Sequence, residues 1–398
     1  MQDTPDWIDA SEMKVAFLTT DNREVFKDYS ATSPYFGPAP EAVLQGLAKI
    51  PGIELHIVSC IRQEVSSPKQ LAPNVFFHSL HVPKYGWIRT GYQGCIRAVR
   101  RKLREIQPDI VHGQGSELDS ALDAIFSGFP NVVTIHGIMA EIARVLELPP
   151  WSFTWLAARL EDFTLKRTAG VFCNSEHTER LIRPRARRTW RVPNALRQDF
   201  FAPFDGRTVR RKNTLINIGV IGRGKRQLQL LDVASQLRQE GLEFEFLFVG
   251  LAAAQSPYAQ EFLEKIKPMQ EAGYARYLGQ KSVGELVGIL DGSAALVHFP
   301  PEESFGLVVA EAIARNLKLF AGRVGGIVDI ANGVPDAELF ERDDWAGLTG
   351  GIANWLRRGA PRPPEIAHIM RQRYHPEVIA QRHVEIYREV LGQSRKGG

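Results

Sequence analysis

The stretch Pro300-Pro-Glu-Glu-Ser-Phe-Gly-Leu-Val-Val-Ala-Glu-Ala312 holds the densest chemistry in the chain. Two carboxylates, Glu303 and Glu311, flank seven residues. Ser304 is a helix-capping type, so the stretch predicts a helix whose first free N–H groups belong to Phe305, Gly306 and Leu307. A helix start of this kind attracts anions, and Gly306 lets a phosphate approach the backbone closely. Glu303 then lies beside whatever that phosphate carries. Glu311, about two turns deeper, is placed to accept from hydroxyls on the other side. A polyhydroxylated ligand with a central diphosphate satisfies all three features, and a nucleotide sugar is such a ligand.

Other groups of the same kind are scattered along the chain. Gly219-Val-Ile-Gly-Arg-Gly-Lys225 follows a strand, but its spacing is not the G-x-G-x-x-G of a dinucleotide site. A cation in this loop, Lys225 or Arg223, suits a diphosphate. His136 ends the apolar run Asn131-Val-Val-Thr-Ile-His136, where a satisfied structural histidine and a site residue are equally good readings. No Asp-x-Asp triplet occurs, and the three cysteines (Cys60, Cys95, Cys173) are too widely spaced for a metal motif or a disulfide framework. A metal is therefore not expected at the diphosphate.

These residues sit on elements that alternate. Short apolar runs at Met13 to Thr20, Ile53 to Ser59, Asp109 to His112, Asn131 to His136 and Gly170 to Asn174 read as buried strands. Helical periodicity fills the intervals, for example Glu41 to Lys49, Gln93 to Ile106 and Phe153 to Thr168. The series restarts with strands at Asn213 to Gly219, Phe244 to Gly250, Ala294 to His298 and Lys318 to Ala321, with helices at Lys225 to Gln239 and Gly306 to Arg315. The fold class is α/β: two Rossmann-like units with parallel sheets facing a central cleft, joined by a linker from Val192 to Lys212. The expected boundaries are a flexible tail at 1–12, a first domain at 13–200, a second at 201–374 and a final helix at 375–392.

Glu303 and Glu311, with Phe305-Gly306-Leu307 between them, resemble the E-x7-E motif of the retaining glycosyltransferases of family 4, whose two-domain architecture is called GT-B. Arg191-Val-Pro-Asn-Ala195 is similar to that family's linker phrase, Leu278-Gly279 with Glu285-Leu286 to the segment before the motif, and Gly325-Gly326-Ile327 to the double glycine after it. His375-Pro-Glu to Tyr387 resembles the helix that crosses back to the first domain. The resemblance runs from Met13 onward. It implies transfer of a hexose, with retention of configuration, from a nucleoside-diphosphate sugar to an acceptor hydroxyl, by a front-face mechanism in which the leaving phosphate helps deprotonate the acceptor. UDP is the commoner donor nucleotide and GDP the next, and no cofactor is implied.

The same resemblance assigns roles. Glu303 holds the sugar hydroxyls and Glu311 the ribose. Lys225 and the amides of Ser304, Phe305, Gly306 and Leu307 hold the diphosphate, with Gly279 nearby. The family's usual clamp arginine is Val220 here, and Arg223 stands in from another loop position. His136, in Thr134-Ile-His-Gly137, matches the histidine that contacts the donor sugar and supports the reaction. His112 also matches a family position. Gly37 matches the acceptor loop, where Pro38 replaces a second glycine. Asn316 stands where a helix-ending glycine is usual, and asparagine is the next-best residue for a left-handed stop.

The 398 residues are 44% hydrophobic and 24% charged, which excludes disorder or a fibrous chain. No run reaches the roughly 18 apolar residues of a membrane span, and Met1 to Met13 has no apolar core, so a cytoplasmic protein is expected. Lys and Arg total 49 against 45 Asp and Glu, but the excess is clustered. Arg97, Arg100, Arg101, Lys102 and Arg104 form one basic helix face, and further clusters lie at Arg183 to Arg191 and Arg207 to Lys212. The helix face reads as solvated surface or as a contact for an anionic membrane or a lipid-linked or acidic carbohydrate acceptor. Without aromatic residues interleaved among these charges, nucleic acid is not expected. Two other readings stay open: an epimerase-like enzyme acting on sugar nucleotides, and a non-catalytic relative of the fold.

Overall fold

The computed structural model describes residues 12–145, 147–204 and 213–394. Most of the expected tail and the Arg207 to Lys212 cluster lie outside them. The first half builds an eight-stranded sheet in the order β3-β4-β2-β1-β5-β6-β7-β8. Its strands are β1 (Met13–Leu18), β2 (Ile53–Ile61), β3 (Gln70–Ala72), β4 (Val75–His81), β5 (Ile110–Gln114), β6 (Asn131–Ile135), β7 (Val171–Cys173) and β8 (Thr189–Arg191). All pairings are parallel except β3 with β4. The second half builds a parallel six-stranded sheet, β11-β10-β9-β12-β13-β14. Here the strands are β9 (Thr214–Ile218), β10 (Glu245–Val249), β11 (Ala275–Tyr277), β12 (Ala295–His298), β13 (Lys318–Gly322) and β14 (Glu338–Phe340).

Both sheets reverse their winding beside the first strand of the half, between β1 and β5 and between β9 and β12. Such switch points open a crevice beyond the carboxyl ends of the strands. Central strands read as nearly continuous apolar runs because helices cover both faces. The short edge strands β3, β11 and β14, whose side chains are exposed or half-buried apart from Ala275, escaped the sequence reading. So did β4 and β8, where polar residues interrupt the apolar pattern.

The final helix, Pro376–Ser394, returns to the first sheet. Its Ile379, Ala380, Val384, Tyr387 and Val390 are buried with Val43, Leu44 and Leu47 of the helix Pro38–Leu47. Each of the valine, leucine and isoleucine side chains contributes roughly 1.5–3 kcal/mol on full burial. Gly46 permits the close crossing, since a Cβ there would sit 2.1 Å from the Pro376 carbonyl oxygen. The helix Pro38–Leu47 starts earlier than the expected Glu41. Gly37 is its N-cap and Pro38 its first residue, where a missing N–H costs nothing. Pro38 in place of a glycine therefore begins a helix rather than disrupting a loop. Asn316 takes the left-handed conformation expected of it, at φ 62°.

Candidate active site

The acidic loop between β12 and the helix Leu307–Ala314 is shaped by contacts rather than by the expected cap. The helix begins two residues later than its sequence suggests, with Gly306 as N-cap at φ 102° and no side-chain cap. Ser304 does not cap it. Its carbonyl instead accepts from the Ser175 hydroxyl of the first half, at 2.6 Å. The first free N–H groups are thus those of Leu307 and Val308, since Val309 already bonds to the Gly306 carbonyl. The double glycine explains the shift. A Cβ on Gly325 would lie 1.7 Å from the Glu303 carbonyl oxygen, and one on Gly326 would lie 2.6 Å from Phe305 Cα. The Gly326 N–H donates to the Glu303 carbonyl at 3.0 Å. These glycines let the segment after β13 press against Glu303 to Phe305 and fix its course.

Glu303 is the charged centre of the second half. Lys225 Nζ lies 2.5 Å from its Oε2, and His298 Nε2 lies 3.2 Å from the same oxygen. Burial alone would raise the Glu303 carboxyl, but the Lys225 charge and the His298 hydrogen bond hold it well below the usual carboxylate range. Lys225 and Glu303 line one cleft of about 470 Å³ together with Phe305, Gly306, Leu307, Gly37, Gln114, His136 and Asn194.

Across that cleft the first half presents a neutral chain of hydrogen bonds. His136 Nε2 lies 3.1 Å from Gln114 Oε1, and Gln114 Nε2 lies 3.0 Å from His112 Nε2. His112 Nδ1 lies 2.6 Å from the Tyr387 hydroxyl on the final helix, and its Nε2 lies 2.7 Å from Thr134 Oγ1. Burial lowers the His136 imidazole to about 4 and drives His112 well down, so both are uncharged near neutral pH. In this arrangement the Gln114 amide donates to His112 and accepts from His136, which leaves His136 Nδ1 buried with a free lone pair. A sugar hydroxyl in the cleft is a suitable donor to it.

Glu311 does not line this cleft. It lies just over one turn into the helix, 3% exposed, with Arg197 Nη2 at 3.5 Å from its Oε1. Burial pushes its carboxyl up to about 7 against the pull of Arg197. Arg223 is also outside the cleft. It lines a neighbouring pocket with Arg226, Tyr258, Glu261 and Arg342. Gly279 sits at φ 71° beyond β11, where its carbonyl accepts from Gly250 N–H at 3.0 Å. The structure thus brings Lys225, Glu303, Phe305, Gly306, Leu307, His136 and Gly37 together, and leaves Arg223, Gly279, Ser304 and Glu311 around them.

Gln114, His298, Arg197 and Glu117 were not read as site residues from the sequence. Gln114 and His298 end β5 and β12, so the same strand-end rule that singled out His136 would have found them. Arg197 gives no local signal. On the basic helix, Arg97, Arg100, Arg101 and Arg104 are exposed while Lys102 pairs with Glu105. Cys95, Ile96, Val99, Leu103 and Ile106 anchor the other face in the core. No described helix is long and apolar enough to cross a membrane.

Comparison with known proteins agrees with the two-unit architecture. Residues 41–199 match the domain family described as Glycosyltransferase Family 4, and residues 201–373 match Glycosyl transferases group 1. The fold is similar to a sucrose-phosphate synthase from Thermosynechococcus elongatus (TM-score 0.74, 16% identity, 96% of this chain and 100% of that one). It is similar also to Anabaena HepE in complex with UDP and glucose (0.70, 14%, 95% and 100%) and to the lipopolysaccharide outer core galactosyltransferase WaaB (0.64, 14%, 96% and 100%). No curated protein matches by sequence. The chain is a glycosyltransferase of the GT-B type.

Proposed function

We propose that this enzyme is a retaining hexosyltransferase of family 4 that uses a nucleoside-diphosphate sugar, UDP-linked before GDP-linked. The observation that carries the reading is one cleft with Glu303 fixed as an anion by Lys225 on one wall and uncharged His136 on the other. Lys225 and the free amides of Leu307 and Val308 neutralise the diphosphate without a metal or other cofactor. Glu303 accepts from the sugar hydroxyls and His136 Nδ1 from another hydroxyl, which orients the anomeric carbon. The leaving phosphate takes the acceptor proton on the same face, so configuration is retained. Gly37 and the start of the helix Pro38–Leu47 border the acceptor's approach.

Glu311 reaches a ribose by exchanging its contact with Arg197 for the two ribose hydroxyls. The exposed arginines of the helix Gln93–Ile106 supply peripheral contact with anionic lipid at the cytoplasmic face. That placement suits synthesis of a glycolipid, glycan or cell-envelope polysaccharide on a carbohydrate or lipid-linked acceptor, and nucleic acid is not a partner. The HepE complexes with UDP and UDP-glucose favour uridine as the base. A thermal-shift series with nucleoside diphosphates, followed by transfer assays with the corresponding sugars, tests the reading. UDP is expected to raise the melting temperature most, by mass action on the native state. If no nucleoside diphosphate raises it and no sugar nucleotide is consumed, the proposal fails.

A further inference from the structure

One residue beyond Leu118, which lines the cleft, Asp119 occupies the N-cap of the helix Ser120–Ile125 without capping it. Its carboxylate faces the thiols of Cys60 and Cys95 instead. The ligand atoms of these three residues lie within 4.8 Å of one another, and all three side chains are buried. Cys60 comes from β2, Cys95 from the helix Gln93–Ile106 and Asp119 from the turn after β5, so only the tertiary fold assembles the group. A fourth acid, Asp123, sits one helical turn on, its backbone N–H donating to the Asp119 carbonyl at 2.8 Å. It is 3% exposed, and its Oδ1 has no hydrogen-bond partner.

The surroundings do not explain so many buried acids. Val82, Trp87, Tyr92 and Leu122 belong to the same core cluster. Arg62, whose charge reaches Cys95, is engaged by Glu24 and stacks over the Trp87 ring at 4.1 Å. Hydrocarbon side chains would fill this volume without the cost of desolvating thiols and carboxyls.

We infer that Cys60, Cys95 and Asp119 form a structural site for a zinc-type divalent cation, completed by a water that donates to Asp123. Two thiolates and a carboxylate select a borderline-soft, four-coordinate ion, whereas magnesium or calcium takes oxygen donors alone. Tetrahedral zinc, with bonds of about 2.3 Å to sulfur and 2.0–2.2 Å to oxygen, holds neighbouring donors roughly 3.5–3.8 Å apart. Donors already within 4.8 Å close to that spacing by small side-chain rotations. Binding releases the two thiol protons to solvent, and no electron is transferred. Asp123 offers its unpartnered Oδ1 to the bound water, orienting it as outer-shell carboxyls do. The ion would tie β2, the basic helix and the turn after β5 into one unit, and so hold Glu117 and Leu118 at the cleft.

Metal content and cobalt substitution test this independently of the sugar-transfer reading. Protein purified without chelator is expected to carry about one zinc per chain. The cobalt-substituted form should show a near-ultraviolet thiolate-to-cobalt band. Both signals should vanish in Cys60→Ser and Cys95→Ser and persist in Cys173→Ala, whose thiol lies on β7. Chelation should lower the melting temperature, and zinc but not magnesium should restore it. Should the serine variants fail to fold, cobalt titration of the wild-type chain decides alone. Reduced, metal-free wild-type protein that gives no cobalt band and no thermal response to excess zinc overturns the site. A Cys60–Cys95 disulfide, seen as a loss of two hydrogens in mass, overturns it as well.

Discussion

The two walls of the cleft solve one problem, fixing a polar ligand in a buried place, by opposite means. The second-half wall uses charge: Lys225, Glu303 and the first amides of the helix Leu307–Ala314. The first-half wall is neutral, a line of hydrogen bonds from His136 through Gln114 and His112 to Tyr387. Charge suits a diphosphate, which stays ionised throughout the reaction. A neutral chain suits a sugar, because a charged imidazole there would compete with Lys225 for the same phosphate. The contrast teaches that the charged wall should fail abruptly when one partner is removed, whereas the neutral wall should weaken in steps.

The largest effect is expected at Glu303 and Lys225. Glu303→Gln keeps the shape but removes the anion beside the sugar, and transfer rates should drop at least about a hundredfold. Affinity for the bare nucleoside diphosphate should hardly change. Lys225→Met should lower both rate and nucleotide affinity, because it contacts Glu303 and faces the phosphates. Initial rates paired with calorimetric titration separate the two. Equal behaviour of the variants would erase the distinction drawn within this wall.

Glu311 comes next, with an effect on the nucleotide and another on stability. Glu311→Gln should weaken nucleoside-diphosphate binding by about 1.5–3 kcal/mol if a hydrogen bond to a charged group is lost. Unchanged affinity would remove Glu311 from the site and with it the E-x7-E assignment. The stability effect has the opposite sign. Since burial raises the carboxyl to about 7, its stabilising contribution is complete below its ordinary value and is lost as pH rises toward 7. The unliganded Glu311→Gln protein should therefore melt higher than wild type at pH 8 and close to it at pH 4.5. Thermal melts across that range measure the crossing.

On the neutral wall, Gln114→Leu should slow transfer about tenfold by freeing the imidazole of His136 from its fixed orientation. Tyr387→Phe, two links further away, should cost only a few-fold. A steeper loss from Tyr387→Phe than from Gln114→Leu would break the stepwise picture. His136 and His383 are each held at about 4 by burial. Depressed values of this kind stabilise the fold above the ordinary histidine range and lose that contribution as pH falls from 6.5 toward 4. Acid unfolding should begin in this window, and no titration of His136 should mark the rate profile above about pH 5.

The smallest effect on transfer, none, is expected at the surface. Reversing Arg97, Arg100 and Arg101 to Glu should weaken binding to anionic liposomes in low salt by roughly 1 kcal/mol per residue, with transfer to a soluble acceptor unchanged. Indifference of the wild-type protein to such liposomes would return the helix to the role of a solvated face.

The sequence by itself determined what depends on neighbours along the chain. Apolar runs and their intervals placed the central strands, the helix Gln93–Ile106 and the two-unit α/β architecture. The motifs around Glu303 and Glu311, taken in order with those at Asn194, Gly279 and Gly325, carried the resemblance to glycosyltransferases, and the left-handed stop at Asn316 followed from residue type. Tertiary structure decided the rest. Ser304 reads locally as a cap, yet the backbone of Gly325 and Gly326, packed against Glu303 and Phe305, moved the helix start to Leu307. Arg197 came to face Glu311, and Tyr387 came to end the hydrogen-bond chain from His136, only because the linker and final helix fold across the two sheets. Such pairings join residues more than a hundred positions apart. No periodicity records them, since the packing of one sheet unit against the other sets their geometry.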